Sequence, residues 1–197
     1  MSTLPKTPVT PAEYLEFERK AEYKNEYYNG EIFAMSGVSR RHDYIDMQLM
    51  VLVGAHLRGK KCRAFSSNMR VLVEADGLYT YPDLSVACEE PKFADEHVDT
   101  LINPTLIVEI LSPSTEQYDR GQKAKLYRAL PSLKELLLIE QDSYELELYR
   151  RQPDGSWLIL EARGLDASIQ LASIDYTLRL GELYETVATP PTPAAAP

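Results

Sequence analysis

Positive charge is scarce in this chain. Its 197 residues carry 21 Lys plus Arg against 30 Asp plus Glu, a net charge of −9. That balance excludes a basic coat protein that binds nucleic acid without regard to sequence. It does not exclude a nuclease, whose centre is itself acidic and whose backbone contacts are local. Long apolar runs are missing too. No stretch of about 18 consecutive apolar residues occurs, so no membrane-spanning helix is expected. The opening MSTLPKTPVTPAEY lacks the apolar segment of a signal peptide. Cysteine is limited to Cys62 and Cys88, with no CxxC and no His/Cys spacing suited to zinc. With no secretory signal, the two are expected as reduced core thiols in a cytoplasmic protein.

What is present suits one globular domain. Apolar residues make up 44% and charged residues 26%, ordinary values for a protein with a packed core. The boundaries read as a single domain over residues 10–187. Tails at 1–9 and 188–197 are expected to be flexible; the second ends in TPPTPAAAP, which cannot build a core.

Thr10-Pro11-Ala12-Glu13 is a capping box with proline at the first helical position, so a short helix to about Lys20 is expected. Tyr23–Tyr28, Asn29-Gly30 and Glu31–Met35 read as a hairpin on an Asn-Gly turn. Ser39 can cap a second helix with Ile45, Leu49, Leu52, Val53 and Leu57 on one face, ended by Gly59. The period then changes. Cys62–Phe65, Met69–Glu74, Leu84–Cys88, Leu106–Leu111 and Leu136–Ile139 read as strands, with a turn at Ala75-Asp76-Gly77. A helix from about Tyr118 to Leu130 stops at Pro131. Tyr144–Tyr149 and Trp157–Glu161 form a hairpin around Pro153-Asp154-Gly155. Helices and strands mix without strict alternation, so the fold class is α/β or α+β around a mixed sheet flanked by helices.

One residue is out of place. Glu109 lies inside Leu106-Ile107-Val108-Glu109-Ile110-Leu111, a run apolar on both faces and therefore a central, covered strand. A carboxylate there needs a cation, a proton or several donors. By itself it reads as a salt-bridged or protonated core acid, or as part of a strand whose end lies at the surface. Asp83 follows Pro82 at a strand start, where proline is tolerated. By itself it reads as a turn residue. Together, two acids on neighbouring strands can converge on one hard cation such as Mg²⁺, an arrangement suited to phosphodiester cleavage. A third charge comes from the following helix. Lys123, Leu126, Tyr127 and Leu130 fall at i, i+3, i+4 and i+7, which puts Lys123 on the inward face and Lys125 towards solvent. Lys123 then either reaches the strand of Glu109 or snorkels past the core edge. Asp119, one turn earlier, can pair with it or cap the helix. His42 reads as a surface residue at a capped helix start, or else as a general base. Arg58, Lys60, Lys61 and Arg63 form a basic cluster that reads as a solvated helix end or a phosphate contact. His56 and His97 are given no role.

Three runs carry a resemblance: Tyr81-Pro82-Asp83-Leu84-Ser85-Val86, Val108-Glu109-Ile110-Leu111-Ser112-Pro113-Ser114-Thr115, and Asp119-Arg120-Gly121-Gln122-Lys123-Ala124-Lys125-Leu126-Tyr127. In their order and spacing they resemble the Uma-two family of bacterial proteins, assigned to the PD-(D/E)XK nuclease superfamily. Glu26-Tyr27-Tyr28-Asn29-Gly30-Glu31, Ser39-Arg40-Arg41-His42 and Leu178-Arg179-Leu180-Gly181-Glu182-Leu183-Tyr184 extend the likeness over roughly residues 10–187. The resemblance implies a restriction-endonuclease-like fold and a Mg²⁺-dependent endodeoxyribonuclease, with Mn²⁺ as a substitute metal. Asp83 and Glu109 would be the metal-binding acids, joined by the backbone carbonyl of Ile110. The superfamily pattern puts its lysine two residues after the second acid, where this chain has Leu111. The family resembles a case in which that lysine has migrated to the next helix, and Lys123 matches. Glu26 resembles an extra acid brought in from an early element. DNA is the implied substrate and a homodimer a further expectation. Two other readings stay open: an inactive nucleic-acid- or protein-interaction module on the same scaffold, and a carboxylate-pair hydrolase acting on a small molecule or sugar.

Overall fold

A computed structural model describes residues 8–35, 37–74 and 77–187. The expected tails therefore fall almost wholly outside the described residues, as do Ala75 and Asp76 of the expected turn.

The first helix, α1 (Pro11–Glu18), starts as its capping box requires: Thr10 accepts from the Glu13 backbone N–H, and the Glu13 side chain returns a bond to the Thr10 backbone. Strands β1 (Asn25–Tyr28) and β2 (Glu31–Ala34) follow. Both turn residues have positive φ, Asn29 at 51° and Gly30 at 86°, the geometry of a two-residue hairpin loop. A Cβ on Gly30 would come within 2.6 Å of the Pro8 Cβ, so glycine is required there twice over. Helix α2 (Arg40–Leu57) is capped by Ser39, whose hydroxyl accepts from the His42 N–H. Strands β3 (Arg63–Ser66), β4 (Arg70–Val73), β5 (Leu78–Thr80), β6 (Leu84–Ala87), β7 (Thr100–Leu101) and β8 (Leu106–Leu111) come next.

The helical segment after β8 has three parts: α3 (Glu116–Tyr118), a π-helical turn (Asp119–Lys123) and α4 (Ala124–Tyr127). The Ala124 N–H bonds the Asp119 carbonyl five residues back, which marks a π-bulge, a feature frequent at functional sites. Strands β9 (Glu135–Glu140), β10 (Glu145–Arg151), β11 (Trp157–Arg163), β12 (Ser168–Leu171) and β13 (Tyr176–Arg179) lead to helix α5 (Leu180–Leu183).

The strands form a six-stranded sheet in the order β11-β10-β9-β8-β6-β3, a five-stranded sheet in the order β2-β1-β5-β4-β7, and the β12–β13 pair. In the larger sheet β8 and β9 are parallel and the other pairs antiparallel. The expected mixed sheet is therefore present, with β8 inside it and all six β8 residues buried. Alternation along β8 splits the core. Leu106, Val108 and Ile110 pack with Ile45, Leu49 and Val53 of α2. Ile107 and Leu111 pack on the other face with Ala124, Leu126 and Tyr127. Each fully buried Leu contributes about 1.5–3 kcal/mol through area removed from water. Glu109 has the parity of Ile107 and Leu111, so it points at the segment carrying Lys123.

Several expectations need correction. Short β5 and β7 and the β12–β13 pair carry weak alternation, and the sequence pattern passes over them. Cys62 and Cys88 are not free thiols; they are joined by a disulfide. Antiparallel pairing of Arg63 with Ala87 places the two cysteines opposite each other at the next step of the ladder. Among the described residues, no helix is long and apolar enough to cross a membrane.

Candidate active site

Three elements converge on Glu109. Pairing of Leu84 with Val108 across β6 and β8 brings Asp83, just before β6, level with the next β8 residues. The Ile110 backbone N–H donates to Asp83 Oδ2 at 2.6 Å. From the helical segment, the Lys123 amine lies 3.0 Å from Glu109 Oε1 and 3.6 Å from Asp119 Oδ1. From the hairpin, Glu26 comes within 2.9 Å of the same amine. All five side chains line one cavity of about 430 Å³, together with His42, Tyr118, Ser112, Ser114 and Thr115. Asp83, Glu109, Lys123 and Glu26, expected from the sequence to share a site, are thus brought together. Ile110 lines the cavity as well.

Each acid is held in place by its neighbours. Glu18 accepts from both the backbone N–H and the Nδ2 of Asn25 at 2.9 Å, fixing the start of β1 immediately before Glu26. Thr80 donates to Glu26 Oε1. Tyr127 donates to Glu109 Oε1 at 2.5 Å. Leu111, which occupies the position of the lysine in the superfamily pattern, is buried against Tyr127 and Ala124. The amine enters from the helix instead, at the end of the π-helical turn.

The electrostatics follow from burial. Burial raises the Glu109 carboxyl above its ordinary range, opposed by Lys123 and reinforced by Asp83 and Asp119. Burial also raises Asp119, again opposed by Lys123. Lys123 itself is pulled down by burial, but Glu109, Tyr127, Glu26 and Asp119 outweigh this and hold the amine charged. A single buried cation therefore faces Glu26, Glu109 and Asp119 directly, with Asp83 in the same cavity.

His42 corrects the reading of a surface residue. It is buried, with Nε2 3.5 Å from Asp83 Oδ2. Burial lowers its pKa, but the hydrogen bond and charge of Asp83 reverse this and leave it raised. Asp46, one turn further on, is pushed up to about 6 by burial and by Asp83. Tyr127 reads from the sequence as part of the inward face of Lys123, without its bond to Glu109; Asp46 escapes that reading, yet sits four residues beyond His42 on the same helix, the spacing that would find it. The basic cluster Arg58, Lys60, Lys61 and Arg63 is exposed and outside this cavity.

The donor set fits a hard divalent cation. Glu109 Oε1 is taken by Tyr127 and Lys123, and Asp83 Oδ2 by Ile110. Their second oxygens, with the Ile110 carbonyl, are the hard donors that Mg²⁺ prefers. Among the described residues, no three His, Cys, Asp or Glu side chains form a cage for a metal ion. Mg²⁺ characteristically takes one or two carboxylates and fills its remaining positions with water or phosphate oxygen.

A family model described as "Uma2: Putative restriction endonuclease" matches residues 11–181. Two uncharacterized proteins of Synechocystis sp. PCC 6803 are similar along most of their length. One, slr1290, is 38% identical over 180 residues, covering 91% of this chain and 93% of its own. The other, sll1609, is 38% identical over 164 residues, covering 83% and 93%. A crystal structure of a "putative nuclease belonging to DUF820" from Anabaena variabilis superposes with a TM-score of 0.73 at 24% identity, over 90% of this chain and 98% of that one. At that identity the likeness establishes the fold.

Proposed function

The chain belongs to the Uma2 family of restriction-endonuclease-like proteins, and from that premise we propose that it is a metal-dependent nuclease hydrolysing DNA phosphodiester bonds. The observation that carries the reading is the buried Lys123 amine, 3.0 Å from Glu109 and 2.9 Å from Glu26 in the cavity that also holds Asp83.

Asp83, Glu109 and the Ile110 carbonyl would hold Mg²⁺ or Mn²⁺. Such a cation supplies Lewis-acid polarisation of the phosphate and lowers the pKa of attacking water. The chain's own groups do the rest. Lys123 keeps its proton and places fixed positive charge where the phosphate gains negative charge. Tyr127 and Thr80 orient the carboxylates of Glu109 and Glu26 by donating to them. The Ile110 N–H fixes Asp83 by one of its oxygens, leaving the other directed elsewhere. The apolar residues around β8 exclude bulk water, so these charges act in a low effective dielectric.

The test is cleavage of plasmid and oligonucleotide DNA with Mg²⁺, Mn²⁺ or chelator. Divalent-dependent cleavage that disappears in Asp83→Ala and Lys123→Met is the expected result. DNA binding without cleavage, indifferent to chelator and to Asp83→Ala, would instead identify an interaction module on this scaffold.

A further inference from the structure

Beside the acids, the cavity has an apolar wall that the proposed chemistry does not use. Phe33, Met35 and Val38 line it and are 47%, 37% and 60% exposed. The hairpin register explains why they are there. Glu26 pairs with Phe33 across β1 and β2, and directly opposed residues put their side chains on one face of the sheet. Glu26 faces Lys123, so Phe33 stands beside it on the same side. The ladder continues to Met35, whose N–H bonds the Lys24 carbonyl, and the two-residue period returns its side chain to that face. An exposed ring next to buried acids loses its water contacts when a ligand covers it, and a flat group in stacking contact covers its face well.

Charge argues for what that something is. Gripping a duplex takes several Lys or Arg contacts to phosphates. Among the described residues lining this cavity Lys123 is the only Lys or Arg, and Glu26, Glu109 and Asp119 already surround it. A site poor in free cations binds nucleic acid better through bases than through backbone, since an aromatic ring stacks on any unpaired base. The volume of about 430 Å³ lies at the small-ligand end of the range for binding pockets. The hydroxyls of Ser112, Ser114 and Thr115 on the same cavity are of the kind that contact sugar and phosphate.

We propose that the site takes an unpaired nucleotide of single-stranded DNA, with the base beside the scissile phosphate stacked on Phe33 and flanked by Met35 and Val38. This rests on the nuclease reading for its reaction, but the base subsite is tested separately. The probe is a single-stranded oligonucleotide carrying 2-aminopurine, whose fluorescence falls on stacking, measured with and without Mn²⁺ alongside cleavage of the same oligonucleotide single-stranded and as a duplex. Wild type should quench the probe and cut the single strand faster than the duplex. Phe33→Ala should weaken binding about tenfold, the loss of one stacked base, whereas Phe33→Tyr keeps the ring and stays near wild type. Because Phe33 is half exposed, its removal leaves the fold intact, which circular dichroism will verify. Equal cutting of duplex and single strand, or quenching unchanged in Phe33→Ala, overturns the subsite and leaves the nuclease standing. Ring-dependent quenching with no cleavage under any divalent ion overturns the reaction and leaves the subsite.

Discussion

The Lys123 amine sits 3.0 Å from Glu109 Oε1, both side chains almost wholly buried. Glu109 faces this one cation, whereas Lys123 also faces Glu26 at 2.9 Å and Asp119 at 3.6 Å. Removing one partner of a buried pair characteristically costs about 3–5 kcal/mol, because the remaining charge is left uncompensated. Lys123→Met should therefore lower stability by about that much in urea unfolding as well as abolishing cleavage. Lys123→Met combined with Glu109→Gln should recover part of the stability, Glu26 and Asp119 still lacking their cation, and none of the cleavage. A double variant that cuts DNA would remove Lys123 from the chemistry.

Asp83 is less deeply buried and is held by one backbone donor. Asp83→Asn keeps that contact's shape while removing the charge. Calorimetry with Mn²⁺ should show binding to the wild type and at least a tenfold loss in the variant, as expected when one of two carboxylate ligands is neutralised. Unchanged Mn²⁺ affinity would take Asp83 out of the ligand set.

Asp46, whose carboxyl feels the charge of Asp83, supplies a pH test. Its carboxyl is raised from 3.8 to about 6 by burial and by Asp83. The folded chain thus holds a proton that the unfolded chain releases, and stability falls as pH rises between those two values. Asp46→Asn removes this penalty. The variant should melt higher than wild type at pH 7.5 and together with it at pH 4. A higher melting temperature at both would mean that the gain comes from something other than the charge.

Arg19 joins α1 to the segment before β7 through Asp99 at 2.8 Å and Asp95 at 2.6 Å. The hydrogen bond from Arg19 holds Asp99 far below the usual carboxylate range, against the opposing effect of burial. A depressed carboxyl contributes stability above its unfolded value, lost as pH falls towards its folded one. Below about pH 4 the attachment of α1 should weaken, seen as faster amide exchange in residues 11–18 relative to β8. Arg19→Ala should show that exchange already at pH 7.

The Cys62–Cys88 bond closes a loop with a sequence separation of 26. Constraining a loop of that size is worth about 3.5 kcal/mol in the chain-entropy account. Urea midpoints with and without reductant should differ accordingly, and denaturation without reductant should expose no titratable thiol. Two free thiols under those conditions would refute the bond.

Much of the local structure is legible in the residues. The Thr10 capping box, the Asn29-Gly30 turn, the Ser39 cap and the apolar strand around Glu109 each declare themselves through short-range rules. So does the inward face of Lys123, since i, i+3 and i+4 spacing holds well enough across the π-bulge to keep Lys123 with Leu126 and Tyr127. Strands β5 and β7 do not, having too few residues to show a period. His42 is misjudged for a related reason. A residue at a helix start reads as exposed, and only the docking of α2 on β8 places it against Asp83.

The sequence by itself determined which residues alternate, which cap, and that one acid sits among apolar neighbours on a covered strand. Those properties depend on contacts a few positions apart. Only the tertiary structure decided that Glu26 and Phe33 face the same cavity as Asp83, Glu109 and Lys123, and that Cys62 meets Cys88. Both outcomes depend on strand order and register, set by many weak contacts between distant segments, and no local pattern records their sum.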